Sequence, residues 1–347
     1  MKILVLAGGL SPERDVSLTS GSLIAGALAV KGHTVCTADL YTGRSIHGEE
    51  PVFSDAPVAP YAVGKAVPDL EALMQATGRG KRRIAPNIPS LWKQADAVFI
   101  ALHGDVGENG RLQALLDMEC IPYTGTGYAG SLLAMDKDLS KQILSRAGIP
   151  TPPWVSCCLS DGTEAAVEKI EQGIGYPCVI KPCSCGSSVG VSMVHNREEL
   201  VSALSAARVY EDTVLAECMI FGRELTVGIL GEQVLPPVEI IPKAGFYDYH
   251  NKYQAGCTEE VCPADLDAKI KDELERLSLA AFKALRLDGY ARFDYILDSE
   301  GTPWCLEANT LPGMTPTSLL PQEAGVLGMD YPTLCEELIR VSFEKYK

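Results

Sequence analysis

YARFDYILDSEGTPWCLEAN, residues Tyr290–Asn309, is the stretch on which the fold turns. Two runs of strand-forming residues flank a polar segment, Asp298–Thr302, suited to a turn. Side chains alternate across a strand. Ala291, Phe293, Tyr295 and Leu297 therefore share one face of the first run, and Arg292 and Asp294 the other. On the second run Trp304, Leu306 and Ala308 lie opposite Glu307 and Asn309. A turn of two or four residues drawn from Ser299–Thr302 predicts a register in which Arg292, Asp294, Glu307 and Asn309 project together. Like charges held that close cost energy unless a cation sits between them. Hard oxygen donors of this kind suit Mg²⁺ or Mn²⁺, with water and substrate phosphates completing the shell. The competing reading is a solvated strand face carrying a surface Arg–Glu pair.

Upstream, Lys181 ends an apolar strand, Cys178–Lys181. The loop KPCSCGSSVG that it opens (Lys181–Gly190) exposes backbone N–H groups that can fold over phosphates while the lysine pairs their charge. A flexible hairpin tip with a snorkelling lysine fits the same residues. Glu217 and Glu224 flank the apolar stretch Cys218–Phe221, an arrangement able to hold a ribose and an adenine, or simply to end two strands. At the N-terminus the apolar strand Ile3–Ala7 runs into GGLSPERDVS (Gly8–Ser17). Glu13 there leaves the end of a parallel strand, where ligands of α/β sheets bind, and its carboxylate can hold an ammonium. The plainer alternative is that Glu13 or Ser17 only starts a helix.

Between these points the chain alternates. Ser20–Val30 has helical spacing, Thr34–Ala38 is a second strand, and Asp96–Leu102 resumes the sheet. Residues 43–90 read as a surface excursion, and HGDVGENG (His103–Gly110) as an irregular loop before a helix Arg111–Met118. Further helices are expected at Asp136–Ala147, Glu164–Gln172, Arg197–Ala207, Asp265–Arg286 and Tyr331–Phe343, and strands at Val189–Val194, Thr213–Glu217, Leu225–Leu230 and Val234–Ile241. Lys243–Cys262 reads as a polar segment. GTGYAG (Gly125–Gly130) matches a dinucleotide fingerprint formally, but it lies far from the first strand and no acidic residue about 20 residues on completes it, so a turn between domains is the better reading.

The 347 residues are 46% hydrophobic and 22% charged, which excludes a disordered or collagen-like chain. A net charge of −15 argues against a nucleic-acid partner, and no apolar run is long enough for a membrane span. The first residues lack an export signal, which points to the cytoplasm. Twelve cysteines include no CxxC pair, so they are expected to be reduced, with Cys36, Cys120, Cys178, Cys218 and Cys305 in apolar strand-like surroundings.

Taken in order, GGLSPERDVSLTSG, HGDVGENG, MDK, VIKP…GSSVG, GRELTVGIL, FYDYHNKY, ARFDYILD and LEANTLPGMTPTS closely resemble the D-alanine–D-alanine ligases of the ATP-grasp superfamily, from Met1 to the last helix. The resemblance implies an α/β, three-domain ATP-grasp fold whose N-terminal domain carries a parallel sheet. The expected units are 1–124 for the first substrate, 125–216 as the central lid, and 217–347 with the metal and second-substrate site. It implies that Lys137 and Lys181 contact ATP phosphates, that Glu217 and Glu224 flank the adenine and ribose, and that Lys252 reaches the terminal phosphate. Asp294, Glu307 and Asn309 would bind two Mg²⁺ or Mn²⁺ ions. Glu13, with His103, would hold the ammonium of the first D-alanine, and Arg292 and the backbone at Gly313 would stabilise the oxyanion. Ser318 and Leu319 would receive the carboxylate of the second D-alanine, while Ser187 and Tyr253 join Glu13 in linking two loops that close over the site. The implied reaction converts D-alanine to an acyl phosphate that the second amine attacks, for cell-wall precursors, in a homodimer. Tyr253 favours the dipeptide, with D-alanyl-D-serine, D-alanyl-D-lactate or another dipeptide as alternative products. A nucleotide-binding module without turnover and a nicotinamide-dependent dehydrogenase are the readings from other classes. Cys183 and Cys185 in the phosphate loop, and Cys218 and Met219 in the adenine hinge, depart from the family pattern.

Overall fold

The computed structural model describes residues 1–62, 68–186, 189–243 and 258–347. Three sheets carry the chain. β1 (Lys2–Ala7), β2 (Thr34–Asp39) and β3 (Ala97–Ile100) form a parallel sheet in the order β2-β1-β3. Ile3–Ala7 of its central strand are 0% exposed because both faces are covered, hence the unbroken apolar run. β4 (Trp154–Cys158), β5 (Cys178–Pro182), β6 (Ser192–Val194) and β7 (Thr213–Cys218) pair antiparallel as β4-β7-β5-β6. The helices Thr163–Gly173 and Arg197–Ala207 bury Val167, Ile170, Leu200 and Leu204 against this second sheet. The third sheet runs β11-β10-β8-β12-β13, with β9 beside β8. Its strands are β8 (Arg223–Leu230), β9 (Gln233–Val234), β10 (Val238–Pro242), β11 (Thr258–Val261), β12 (Tyr290–Leu297) and β13 (Pro303–Asn309). The helix Ala268–Ala284 seals its back with Leu274, Leu277 and Ala281.

Several expectations need correction. The first helix spans Arg14–Val30, starting before the Ser20 that its spacing suggested, because Val16, Ser17, Leu18 and Ser20 are buried and continue the packed face. Residues 43–90 are more than a surface excursion: Ile46, Ala85 and Ile88 lie in the first sheet's core. Asp105–Glu108 makes a helical turn inside the glycine-rich loop. The strand expected at Val234–Ile241 is two strands, and β11 lies inside the segment read as polar. Cys120 is exposed, at φ +55°, and the other described cysteines are free thiols. GTGYAG is the entry to a helix, Tyr128–Met135, pressed so close that a Cβ on Gly130 would meet the Arg286 carbonyl at 2.5 Å.

Each expected unit holds one sheet, but the cores are shared differently. Ala134, Leu144 and Ile149 pack into the core of the third sheet, and β7 runs across the 216/217 boundary. Leu320, Leu334 and Leu338, from the helices Leu319–Val326 and Tyr331–Ser342, return to the core of the first. None of the described helices is long and apolar enough to cross a membrane.

Candidate active site

The hairpin β12–β13 does gather Arg292, Asp294, Glu307 and Asn309, though by a different device from the one expected. The strands close with an odd connection: Leu297 pairs with Pro303, the Asp298 N–H donates to the Thr302 carbonyl, and Gly301 takes φ +83°. Continued unbroken, that register would set Asp294 opposite Leu306 and send Glu307 and Asn309 to the core face. A bulge between Asp294 and Tyr295 restores the parity, because Tyr295 pairs with Cys305 whereas Asp294 pairs with Glu307. Leu306 is the extra residue. It lines the cleft, and Trp304 pairs with cleft-facing Ile296, so neither shares the core face of Ala308 as expected.

With β8 the ladder has two rungs across three strands, Thr226–Asp294–Glu307 and Gly228–Arg292–Asn309. Arg292 grips Asp294 with Nε at 2.9 Å and Nη2 at 2.8 Å. Thr226 Oγ1 donates to Asp294 Oδ1 at 2.7 Å and Asn309 Nδ2 to Oδ2 at 3.0 Å. Asp294 thus already has several exchangeable donors around it. Among the described residues no three His, Cys, Asp or Glu side chains cluster as metal ligands. Two carboxylates and one amide oxygen on adjacent rungs are a sparse, hard set, which fits an ion that keeps water and substrate oxygens in its shell.

The opposite wall comes from the second sheet. Lys181 Nζ donates to Glu217 Oε2 at 2.8 Å, and Lys141 Nζ lies 3.4 Å from Oε1 without hydrogen-bond geometry. Glu217 is 2% exposed. Burial alone would raise its pKa, but Lys181 and Lys141 outweigh burial and hold it below the usual carboxylate range. Lys141, 1% exposed, is drawn down to about 8 by burial against the pull of Glu217. Lys181, less deeply enclosed at 12%, stays above its ordinary value because Glu217 outweighs burial there. The Glu217 carboxylate therefore acts on the lysines rather than pointing freely at a ligand, while its residue still lines the cleft with Glu224, Met219 and Ile220. Sequence reading missed Lys141. Its signal was the i,i+4 spacing from Lys137 on the helix Lys137–Arg146, which puts both lysines on one face. Lys137 Nζ donates to the Cys185 carbonyl at 2.6 Å and stands 3.8 Å from Glu307 Oε2.

A second cavity of about 310 Å³ adjoins the rungs, lined by Glu13, His103, Glu108, Arg292, Gly313 and Ser318 among others. Glu13 caps the helix from Arg14, and its Oε2 would be 2.6 Å from a Cβ on Gly104 and 3.4 Å from one on Gly186. The loop opened by Lys181 therefore reaches Glu13. His103 Nδ1 is 3.1 Å from the Leu311 carbonyl and Nε2 is 3.3 Å from Ser20 Oγ. Burial lowers the His103 pKa against the pull of Glu13, so the ring is neutral, with Nδ1–H donating to the carbonyl. Glu108, also missed, takes N–H bonds from Gly104 at 2.7 Å and Leu311 at 3.3 Å, so one carboxyl ties two loops of the site together. Desolvation and then Glu13 push it up to about 7. Ser318 caps the helix Leu319–Val326, and its Oγ is 2.8 Å from Thr315 Oγ1. The Leu319 side chain is core, packed with Val238 and Ile240, so only its backbone faces a ligand's needs. Ser187, Lys252 and Tyr253 lie outside the described residues.

Family models described as the D-ala D-ala ligase N-terminus and C-terminus match residues 2–126 and 143–340. The chain belongs to the D-alanine–D-alanine ligase family. The D-alanine–D-alanine ligase of Pediococcus pentosaceus is 39% identical over 98% of this chain and 97% of its own. That of Nitratidesulfovibrio vulgaris is 40% identical over 98% of each. Among solved structures, the Bacillus anthracis D-alanine–D-alanine ligase superposes with a TM-score of 0.77 at 31% identity, covering 99% of this chain and 98% of that one. The VanG D-Ala:D-Ser ligase of Enterococcus faecalis reaches 0.76 at 28%, covering 98% and 99%. The α/β architecture, a parallel sheet joined to two antiparallel ones, is that of ATP-grasp ligases.

Proposed function

We propose that this ligase joins two D-alanines into D-alanyl-D-alanine at the expense of ATP, through a D-alanyl phosphate, for peptidoglycan precursors. The observation that carries the reading is the pair of rungs Thr226–Asp294–Glu307 and Gly228–Arg292–Asn309, facing a lysine-lined cleft on one side and the Glu13 cavity on the other. Asp294, Glu307 and Asn309 are the residues to hold two Mg²⁺ or Mn²⁺ ions, which would spread the negative charge of the transferring phosphoryl group. Lys181, oriented by Glu217, and Lys137 pair the triphosphate, with Lys252 at its end. Glu217 and Glu224 border the base and sugar.

Glu13, beside neutral His103, holds the first ammonium. Arg292 and the backbone at Gly313 meet the oxyanion that forms when the second amine attacks. Ser318 and the backbone of Leu319, at a helix N-terminus, take the second carboxylate. Ser187 and Tyr253 join Glu13 in keeping water from the acyl phosphate. A homodimer working in the cytoplasm completes the proposal.

The test is phosphate release from ATP with D-alanine, D-serine, D-lactate and L-alanine, read with mass spectrometry of the products. D-Alanyl-D-alanine from D-alanine alone is expected. Preferential D-alanyl-D-serine or D-alanyl-D-lactate would move the second specificity, and wild-type turnover by Arg292→Ala would sink the assignment.

A further inference from the structure

Arg292 has one neighbour on its rung with no side chain, Gly228. The space is filled from another element. Glu323, on the helix Leu319–Val326, sends its carboxyl into it, and a Cβ on Gly228 would stand 2.2 Å from Oε2. The ladder explains the opening: β10 last pairs at Val238–Thr226 and β9 begins at Ile229–Val234, leaving the Gly228 N–H for Glu323 Oε1 at 3.0 Å. Oε2 has no hydrogen-bond partner, and Glu323 is 0% exposed. An orphaned buried oxygen of this kind calls for an explanation.

The explanation lies one strand away. Directly opposed residues on antiparallel strands hold their Cβ atoms about 4.5–5.5 Å apart, so a carboxyl in the Gly228 slot is within reach of the Arg292 side chain. Burial pushes the Glu323 carboxyl well above the ordinary range, and the Gly228 N–H and then Arg292 work against it. Glu323 thus reaches the rung of Arg292 from the β8 side, as Asn309 does from the β13 side, while Asp294, two residues along β12, holds the guanidinium itself. The helix that delivers Glu323 begins at Ser318, where the second amino acid is to bind.

We propose that Glu323 is a positioning residue for Arg292: from the slot that Gly228 leaves, its carboxyl fixes the guanidinium for the attack by the second amine. The inference rests on the ligase reading and on Arg292 meeting the oxyanion. It links the second-substrate helix to the group that stabilises charge, with no side chain of β8 between them.

The test uses Glu323→Gln in the full-length protein. Glutamine keeps the volume and an oxygen for the Gly228 N–H but sets an NH₂ against the guanidinium. Loss of an electrostatic partner facing the guanidinium should lower kcat about ten- to hundredfold. The KM for ATP should hold, and phosphate released should exceed dipeptide formed, because an acyl phosphate that waits for its amine meets water. Gly228→Ala, which crowds Glu323 out, should give the same uncoupling. In an Arg292→Lys background the glutamine should add no further loss. Wild-type kcat and one phosphate per dipeptide in Glu323→Gln would overturn the proposal, as would losses that multiply in the double variant. A lowered melting temperature with intact coupling in Glu323→Leu and Glu323→Gln would also overturn it, since that is the signature of a purely structural carboxyl. Wild-type protein that releases no phosphate with D-alanine would instead refute the ligase reading beneath it.

Discussion

On the wall of the cleft built from β12 and β13, the Asp294 and Glu307 side chains keep 11% and 27% of their surface, and Asp294 is gripped by Arg292, Thr226 and Asn309 donors that a ligand can displace. On the wall built from β5 and β7, Glu217 keeps 2% and is locked between two lysines. Both walls present paired opposite charges to the same cleft. The first holds carboxylates where a ligand can claim them. The second uses up a carboxylate inside the protein so that Lys181 stays charged and aimed. Similar residue types thus serve chemistry in one place and architecture in the other, and burial is what separates them.

The sharpest way to break this contrast is to insert one alanine between Leu306 and Glu307. The bulge already absorbs one extra residue, so a second shifts the parity and turns Glu307 and Asn309 toward the core. Dipeptide formation should fall by at least about a thousandfold, since a carboxylate and an amide leave the site together and one such group is commonly worth a factor of about 10²–10³. Far-UV circular dichroism should remain that of the wild type. Retained activity would mean that parity is not what places these oxygens.

Glu217→Gln tests the other wall. It leaves Lys141 and Lys181 buried without their counter-charge, and breaking a buried pair in this way costs about 3–5 kcal/mol. The loss should be plain in urea unfolding before any assay is run. Glu307→Gln should do the reverse: stability within about 0.5 kcal/mol of wild type, because its side chain is partly solvated, and turnover down about a hundredfold, as for one lost electrostatic group. If both variants lost stability equally, or activity equally, the distinction between the walls would vanish.

How much of this was legible follows the same division. The alternation of Arg292 and Asp294 against Phe293 and Tyr295 is written in residue types, and the structure keeps it. Glu307 and Asn309 were placed correctly for an incomplete reason. An odd hairpin plus a bulge has the same parity as an even hairpin, and nothing local in WCLEA marks Leu306 as the extra residue. Burial depends on what arrives from far along the chain. Lys141 is buried by partners that follow its helix, Thr151 Oγ1 at 2.7 Å and the Pro152 carbonyl at 3.1 Å, and Glu323 gave no hint of the slot at Gly228. The shared cores have the same cause, since Leu320 and Leu334 join strands some three hundred residues earlier.

The smallest effect expected is a pH slope. Folded Lys141 gives up its proton near pH 8, whereas the unfolded lysine holds it to 10.5. Between those values the unfolded chain binds more protons than the folded one, so this site makes the protein more stable as pH rises, by at most about 3 kcal/mol. Glu217 acts at the other end: its lowered pKa supplies stability above the unfolded carboxylate value of 4.5, lost as pH falls through the folded one. Lys141→Met should therefore erase the alkaline rise, measured as the wild-type minus variant difference in unfolding free energy from pH 7.5 to 10, while leaving an acid limb that Lys181 still supports through Glu217. A flat difference across that alkaline window would place Lys141 in water, and the second wall would then be no more sealed than the first.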